Sequence, residues 1–214
     1  MSFYKFIDEI NLIDDSDVDF IQFGDNELTN IKFNLDSKLQ NICFKFVDYN
    51  IINVNYDFNS MNPNKCNVKI DFDILKSNIK KCDFIPIIFA VNLNSLPNSY
   101  TKHVLLQHVY VLILNIKEKK AVLFNTLKKL DNLATNLSKL ILKNLDINFE
   151  IIKSYKNVKK MEKILCCLPA SFLFIYSYIK YKIKIDDFLS FFESKTLKFN
   201  IYTMNKFVKF LEIK

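Results

Sequence analysis

The chain of 214 residues has one glycine, no tryptophan and, among its 30 basic residues, no arginine. The lone Gly24 rules out a Walker A loop and a Rossmann turn, because both need several glycines where the backbone approaches a phosphate. Lysine alone supplies positive charge, so the bidentate contacts that arginine makes to bases and phosphates are lost. No apolar run is both long and uncharged enough to span a bilayer. The opening MSFYKFIDEINLIDDSDVD lacks the basic start and apolar stretch of a signal peptide. These features predict a soluble intracellular protein that does not engage a membrane. The five cysteines (Cys43, Cys66, Cys82, Cys166, Cys167) form no C-x-x-C pair, and only His103 and His108 could join them. No structural zinc site and no cofactor are therefore expected. An odd number of cysteines in an intracellular chain suggests reduced thiols, and adjacent cysteines rarely bond to each other.

Half of the residues are hydrophobic and 14% are aromatic, enough for a sizeable core. Lys, Asn, Ile, Phe and Asp dominate, as an A/T-rich coding genome such as that of a virus, an endosymbiont or a parasite would produce. The net charge is +7. Acidic residues prevail before about residue 80 and lysines after it, with clusters at Lys117, Lys119 and Lys120, at Lys128 and Lys129, and at Lys156, Lys159 and Lys160. They read as a solvated basic face, with nucleic acid the secondary reading.

Apolar positions in 1–13 (Phe3, Phe6, Ile7, Ile10, Ile13) follow a helical spacing. Residues 18–35 suggest two short strands around Gly24-Asp25-Asn26, and 38–57 suggest a further strand. Residues 68–80 fit a strand or a helix bearing Leu75 and Ile79. The run 83–91 reads as a buried strand, with Pro86 tolerated at an edge or a bulge. Residues 92–102 form a polar loop. A hairpin follows: His108–Ile116, a turn at Lys117–Lys119, then Lys120–Asn125. Residues 127–144 have helical register, and 148–154 read as a strand. A buried helix runs from about Pro169 to Tyr181, with proline in its first turn, and shorter helices cover 185–194 and 205–211. The expectation is one α+β fold with a central mixed or antiparallel sheet flanked by helices. Residues 1–80 form an N-terminal region packed on a core of 81–214.

Two stretches carry chemistry. Cys166 and Cys167 precede the buried helix, where unpaired N–H groups favour a thiolate; Cys167 is the closer of the two. The ordinary alternative is that both simply pack as small apolar groups. His108 opens an apolar strand and Asn125 closes its hairpin partner, so both lie at the same end of the hairpin. Asn125 can then accept from the ring N–H and fix the tautomer. The plain alternatives are a core histidine satisfied by the backbone and a strand-end turn residue. His103, five residues earlier in a more polar setting, is the competing base.

Histidine on one strand, asparagine at the end of the next and cysteine at a buried helix resembles the adenovirus-protease and SUMO-protease clan of cysteine peptidases. An aliphatic segment with a proline, Phe84-Ile85-Pro86-Ile87, precedes the histidine strand, as in that clan. The resemblance covers residues 84–181 and implies the adenovirus-protease-like fold. It also implies a Cys-His-Asn thiol peptidase acting on viral or host polypeptides or on ubiquitin-like modifiers, with a polypeptide substrate or protein partner. Three positions depart from it. Val109 stands where many members have tryptophan. Neither Cys166 nor Cys167 is followed by glycine. The only glutamines, Gln22, Gln40 and Gln107, leave no oxyanion donor six or seven residues before the nucleophile. The alternative is a protease-like module that has lost activity and binds a protein or a polyanion.

Overall fold

A computed structural model describes residues 2–13, 34–35, 38–39, 51–57, 72–94, 107–156, 159–160 and 167–212, with the backbone alone at 51–57, 92–94, 107 and 212. Of the strands expected in 18–35 only residues 34–35 are described, and these are helical; His103 and Cys166 lie outside the described residues, as does most of the strand expected over 38–57. The fold is α+β. In chain order the elements are α1 (Phe3–Asn11), β1 (Ile51–Asp57), α2 (Phe72–Ile79), β2 (Phe84–Asn94), β3 (Gln107–Asn115) and β4 (Lys120–Phe124). A 3-10 turn (Lys128–Leu130) leads into α3 (Asp131–Asn144); β5 (Glu150–Lys153), α4 (Cys167–Tyr181), α5 (Ile185–Ser194) and α6 (Leu197–Glu212) follow. These elements form two compact units, one from residues 43–153 and one from 1–42 with 154–214. The second unit joins the two chain ends.

The 43–153 unit is a mixed five-stranded sheet in the order β1-β2-β3-β4-β5. Its centre is antiparallel, β2 with β3 and β3 with β4, and each edge strand is parallel to its neighbour. Each parallel pair is joined through a helix, α2 between β1 and β2 and α3 between β4 and β5, as a parallel connection requires. On β3, Tyr110, Leu112 and Leu114 face one side and Val111 and Ile113 the other, all fully buried. A near-continuous apolar run is the signature of a strand covered on both faces. The first face joins Ile85, Ile87, Phe89 and Val91 of β2 to Leu133, Ala134, Leu137 and Ile141 of α3 in one core cluster. Phe89 and Tyr110, directly opposed in the register, stack with centroids 4.3 Å apart and planes 8° apart.

Pro86 lies near the start of β2 and opposes Ile113 on β3; among the described residues β2 pairs with β1 from Ile88 to Asn94.

The unit formed by the chain ends is helical in its described part. Ser2 caps α1, its hydroxyl accepting from the Lys5 N–H, and the buried face of α1 carries Phe3, Phe6, Ile7 and Ile10. The other end of α1 is held by α6. The Thr203 hydroxyl donates to Asn11 Oδ1 at 3.1 Å, and the Lys206 ammonium donates to the carbonyls of Asn11 and Ile13. A buried cation at the carbonyl end of a helix is doubly favoured, by hydrogen bonding and by the helix dipole. α4 begins at Cys167, two residues earlier than the sequence suggested, and Pro169 is its third residue, where no intrahelical donor is required. α6 reaches eight residues further back than expected, to Leu197.

Scarce glycine leaves a mark on the backbone. Lys119, Asp146 and Lys182 all take positive φ, at 52°, 56° and 56°. Lys182 follows the last residue of α4 and its N–H bonds the Tyr178 carbonyl at 3.0 Å, the left-handed closure that glycine usually makes. Lys182→Gly should raise stability by about 1 kcal/mol by removing the Cβ clash. Denaturant titration checks this, and Lys180→Gly inside the same helix should instead lower stability.

Candidate functional site

β3 and β4 pair so that Val111 opposes Phe124 and Asn115 opposes Lys120, with the turn at 116–119. The first turn of the crossover helix α3 follows Asn125 within six residues. This corner, after the carboxyl end of a strand that runs parallel to its neighbour and before a helix N-terminus, is where α/β folds place ligand chemistry. His108 shares the α3-facing side of β3 with Tyr110 and Leu112, because residues two apart point to one face.

The structure brings His108 and Asn125 together: His108 Nε2 lies 2.8 Å from Asn125 Oδ1. Asn125 is saturated. Its Oδ1 also accepts from the Leu127 N–H at 3.1 Å, and its Nδ2 donates to the Leu127 carbonyl at 2.8 Å and to Asp131 Oδ1 at 2.7 Å. Reversing the amide would turn its oxygen onto a carbonyl and a carboxylate and its NH2 onto an N–H. The network therefore assigns the amide orientation, and with it the ring. Nε2 carries the proton and donates to Asn125, leaving the lone pair on Nδ1 as the basic site. The contact to Leu127 is also an Asx turn, so Asn125 serves as turn residue and ring holder at once.

Asp131 is the member that the sequence did not reveal. It is the first residue of α3, where an acidic residue is ordinary for a helix N-terminus, and nothing in the pattern distinguishes it from a dipole partner. Its carboxylate explains why an amide stands at 125: an aspartate there would oppose a second negative charge and lack the N–H donors.

His108 is 6% exposed. Burial drives its pKa from the ordinary 6.5 down to about 4, and the bond to Asn125 offsets part of the fall. Removing water penalises the imidazolium more than the neutral ring, so the ring is neutral at pH 7. Cys167, the other candidate, stands at the first turn of α4, partly exposed and not in a disulfide. Cys82 is buried. Among the described residues no group of three His, Cys, Asp or Glu side chains could hold a metal ion, and no helix is long and apolar enough to cross a membrane. No protein-family model, curated protein or solved structure matches the chain.

The pKa of His108 makes stability depend on pH with a definite sign. The unfolded chain binds this proton near 6.5 and the folded chain only near 4. Between those values the unfolded state holds more protons, so stability is full above about 6.5 and is lost as pH falls toward 4. The difference is worth roughly 3 kcal/mol. Urea titrations from pH 7.5 to 4 should show this loss, and His108→Gln should flatten it. Asn125→Ala, which strips the buried ring N–H of its acceptor, should cost about 1–3 kcal/mol at pH 7.

Proposed function

We propose that the chain is a thiol-dependent hydrolase of polypeptides, similar in its site logic to the adenovirus-protease and SUMO-protease clan. The observation that carries this reading is the saturated Asn125 amide, which holds a neutral imidazole in a single tautomer. Any buried imidazole must place its ring N–H on an acceptor; an amide that also fixes one tautomer, with the other ring nitrogen left to accept, meets what a general base requires. In the proposed reaction Cys167 is the nucleophile. In this reading its sulfur attacks the acyl carbonyl while a general base, the role assigned to His108, takes the S–H proton and returns it to the leaving amine. Water then hydrolyses the thioester, with His108 again the base. Asn125 and Asp131 hold the ring through both steps. The choice of Cys167 rests on chain order and on its place at a helix N-terminus, where a thiolate is favoured. With a base titrating near 4, the proton moves during attack and no resting ion pair forms.

A second reading has its own support. Burial makes His108 a weak base, and the sequence offers no glutamine to the oxyanion and no glycine after the cysteine. Loss of one oxyanion donor typically costs on the order of a hundredfold in rate. Those features fit a protease-like module that binds a polypeptide without cutting it.

Iodoacetamide alkylation with mass mapping separates the two. For the hydrolase, Cys167 should react at pH 7 at least about tenfold faster than an unstructured peptide thiol, and His108→Ala should remove most of that excess. A Cys167 no faster than the peptide thiol, and indifferent to His108→Ala, would sink the hydrolase reading and leave the binding module.

A further inference from the structure

The unit formed by the chain ends holds a pocket of about 310 Å³, lined by Phe6 and Glu9 of α1, Tyr176, Lys180 and Tyr181 of α4, and Phe210 of α6. That volume stands at the lower end of the range for small-molecule sites. Phe6 and Tyr176 are buried, Tyr181 and Phe210 half-buried, and Glu9 and Lys180 exposed. The floor is therefore aromatic and the rim charged. Phe6 lies at the centre of the rings, its centroid 4.9 Å from that of Tyr176, 5.1 Å from Tyr181 and 5.3 Å from Phe210.

Three features select an occupant. Aromatic faces carry negative potential and attract cations. The Lys38 ammonium already lies 4.9 Å over the Phe210 centroid, so this cluster takes a cation. The phenols of Tyr176 and Tyr181 are hydrogen-bonded to each other. Burial first, then Tyr176 and the Glu9 carboxylate, push the Tyr181 phenol above its ordinary 10. Both phenols stay neutral at pH 7, and Glu9 supplies the negative charge of the site. Opposite it, Lys180 lines the same pocket, yet among the described residues neither Glu9 nor Lys180 is in an ion pair. A lone cation would be repelled by Lys180, and a lone anion by Glu9 and the ring faces. An uncharged ligand would strip water from both charges and give nothing back. A zwitterion meets all of them. Methyl groups on its ammonium suit aromatic walls, whereas a bare ammonium holds its water strongly.

We propose that this pocket binds a small free zwitterion, its methylated ammonium seated against the rings and Glu9 and its carboxylate or phosphate turned toward Lys180. The site belongs to a different unit from the His108–Asn125 corner, so the inference stands apart from the hydrolase reading. Binding to the full chain is followed by broadening of the probe's methyl resonance in NMR, with glycine betaine and glycerophosphocholine as zwitterions. Choline keeps the cation without the anion; 3,3-dimethylbutanoate keeps the shape and the anion without the cation. At least one zwitterion should bind about tenfold tighter than choline or 3,3-dimethylbutanoate. Glu9→Gln should weaken the zwitterion and leave 3,3-dimethylbutanoate no weaker, and Lys180→Gln should erase the preference over choline. Both positions are exposed, and thermal melts matching the parent's would show that the fold is kept. Lys195→Gln removes the ammonium that lies over Phe191 and Phe199 in the same unit and should change nothing. Equal binding of all four probes, or of none, overturns the proposal. Sedimentation with phosphatidylcholine vesicles while neither free zwitterion binds overturns the assignment to a free ligand.

Discussion

A buried imidazole N–H must find an acceptor, and that requirement organises the corner where β4 gives way to α3. His108 is placed among apolar neighbours by the alternation of β3. An unpaired ring N–H there would forfeit a hydrogen bond with nothing regained. Asn125 meets the need, and it can do so only because its own three remaining contacts are met by Leu127 and Asp131. Those partners in turn require the 3-10 turn and the start of α3 to follow at once. A side-chain amide with every site occupied has no low-energy alternative, so the ring it holds has none either.

The burial that fixes the ring also sets its chemistry. A desolvated imidazole is neutral at pH 7, so it is always in the proton-accepting form, but it accepts weakly. Placing a charged partner at 125 would strengthen the base, and Asp131 forbids it, since two carboxylates would share one small space. The site thus trades basicity for a tautomer that does not waver. Such an arrangement suits a base that takes a proton only as a bond forms, and it fits poorly with a resting thiolate–imidazolium pair.

Much of this corner was legible because antiparallel pairing is local. His108 and Asn125 lie 17 residues apart, and a tight turn between two apolar runs brings their ends together without reference to the rest of the chain. α6 was half missed for the opposite reason. Its first half carries Asn200 and Thr203 at buried positions, which breaks the apolar periodicity. Thr203 and Lys206 find partners more than 190 positions away, at Asn11 and Ile13, and Asn200 reaches the Phe192 carbonyl across the turn between α5 and α6. A buried polar residue is cheap only when its partner is known, and a partner at the other end of the chain leaves no local trace. Asp131 was unreadable differently: an acid in the first turn of a helix already has a sufficient local reason to be there. The segment 72–79 stayed open between strand and helix because eight residues with one buried position, Leu75, hold too little periodicity to decide.

Glycine scarcity links the backbone to the chemistry. Chains that bind anions commonly do so with glycine-rich loops whose bare N–H groups turn inward. Here even the left-handed closure of α4 falls to Lys182, so such loops are not available to the fold. An anion held by such a chain meets helix termini and side-chain donors rather than bare loop N–H groups. At α4 the terminus has already given up one N–H to Pro169.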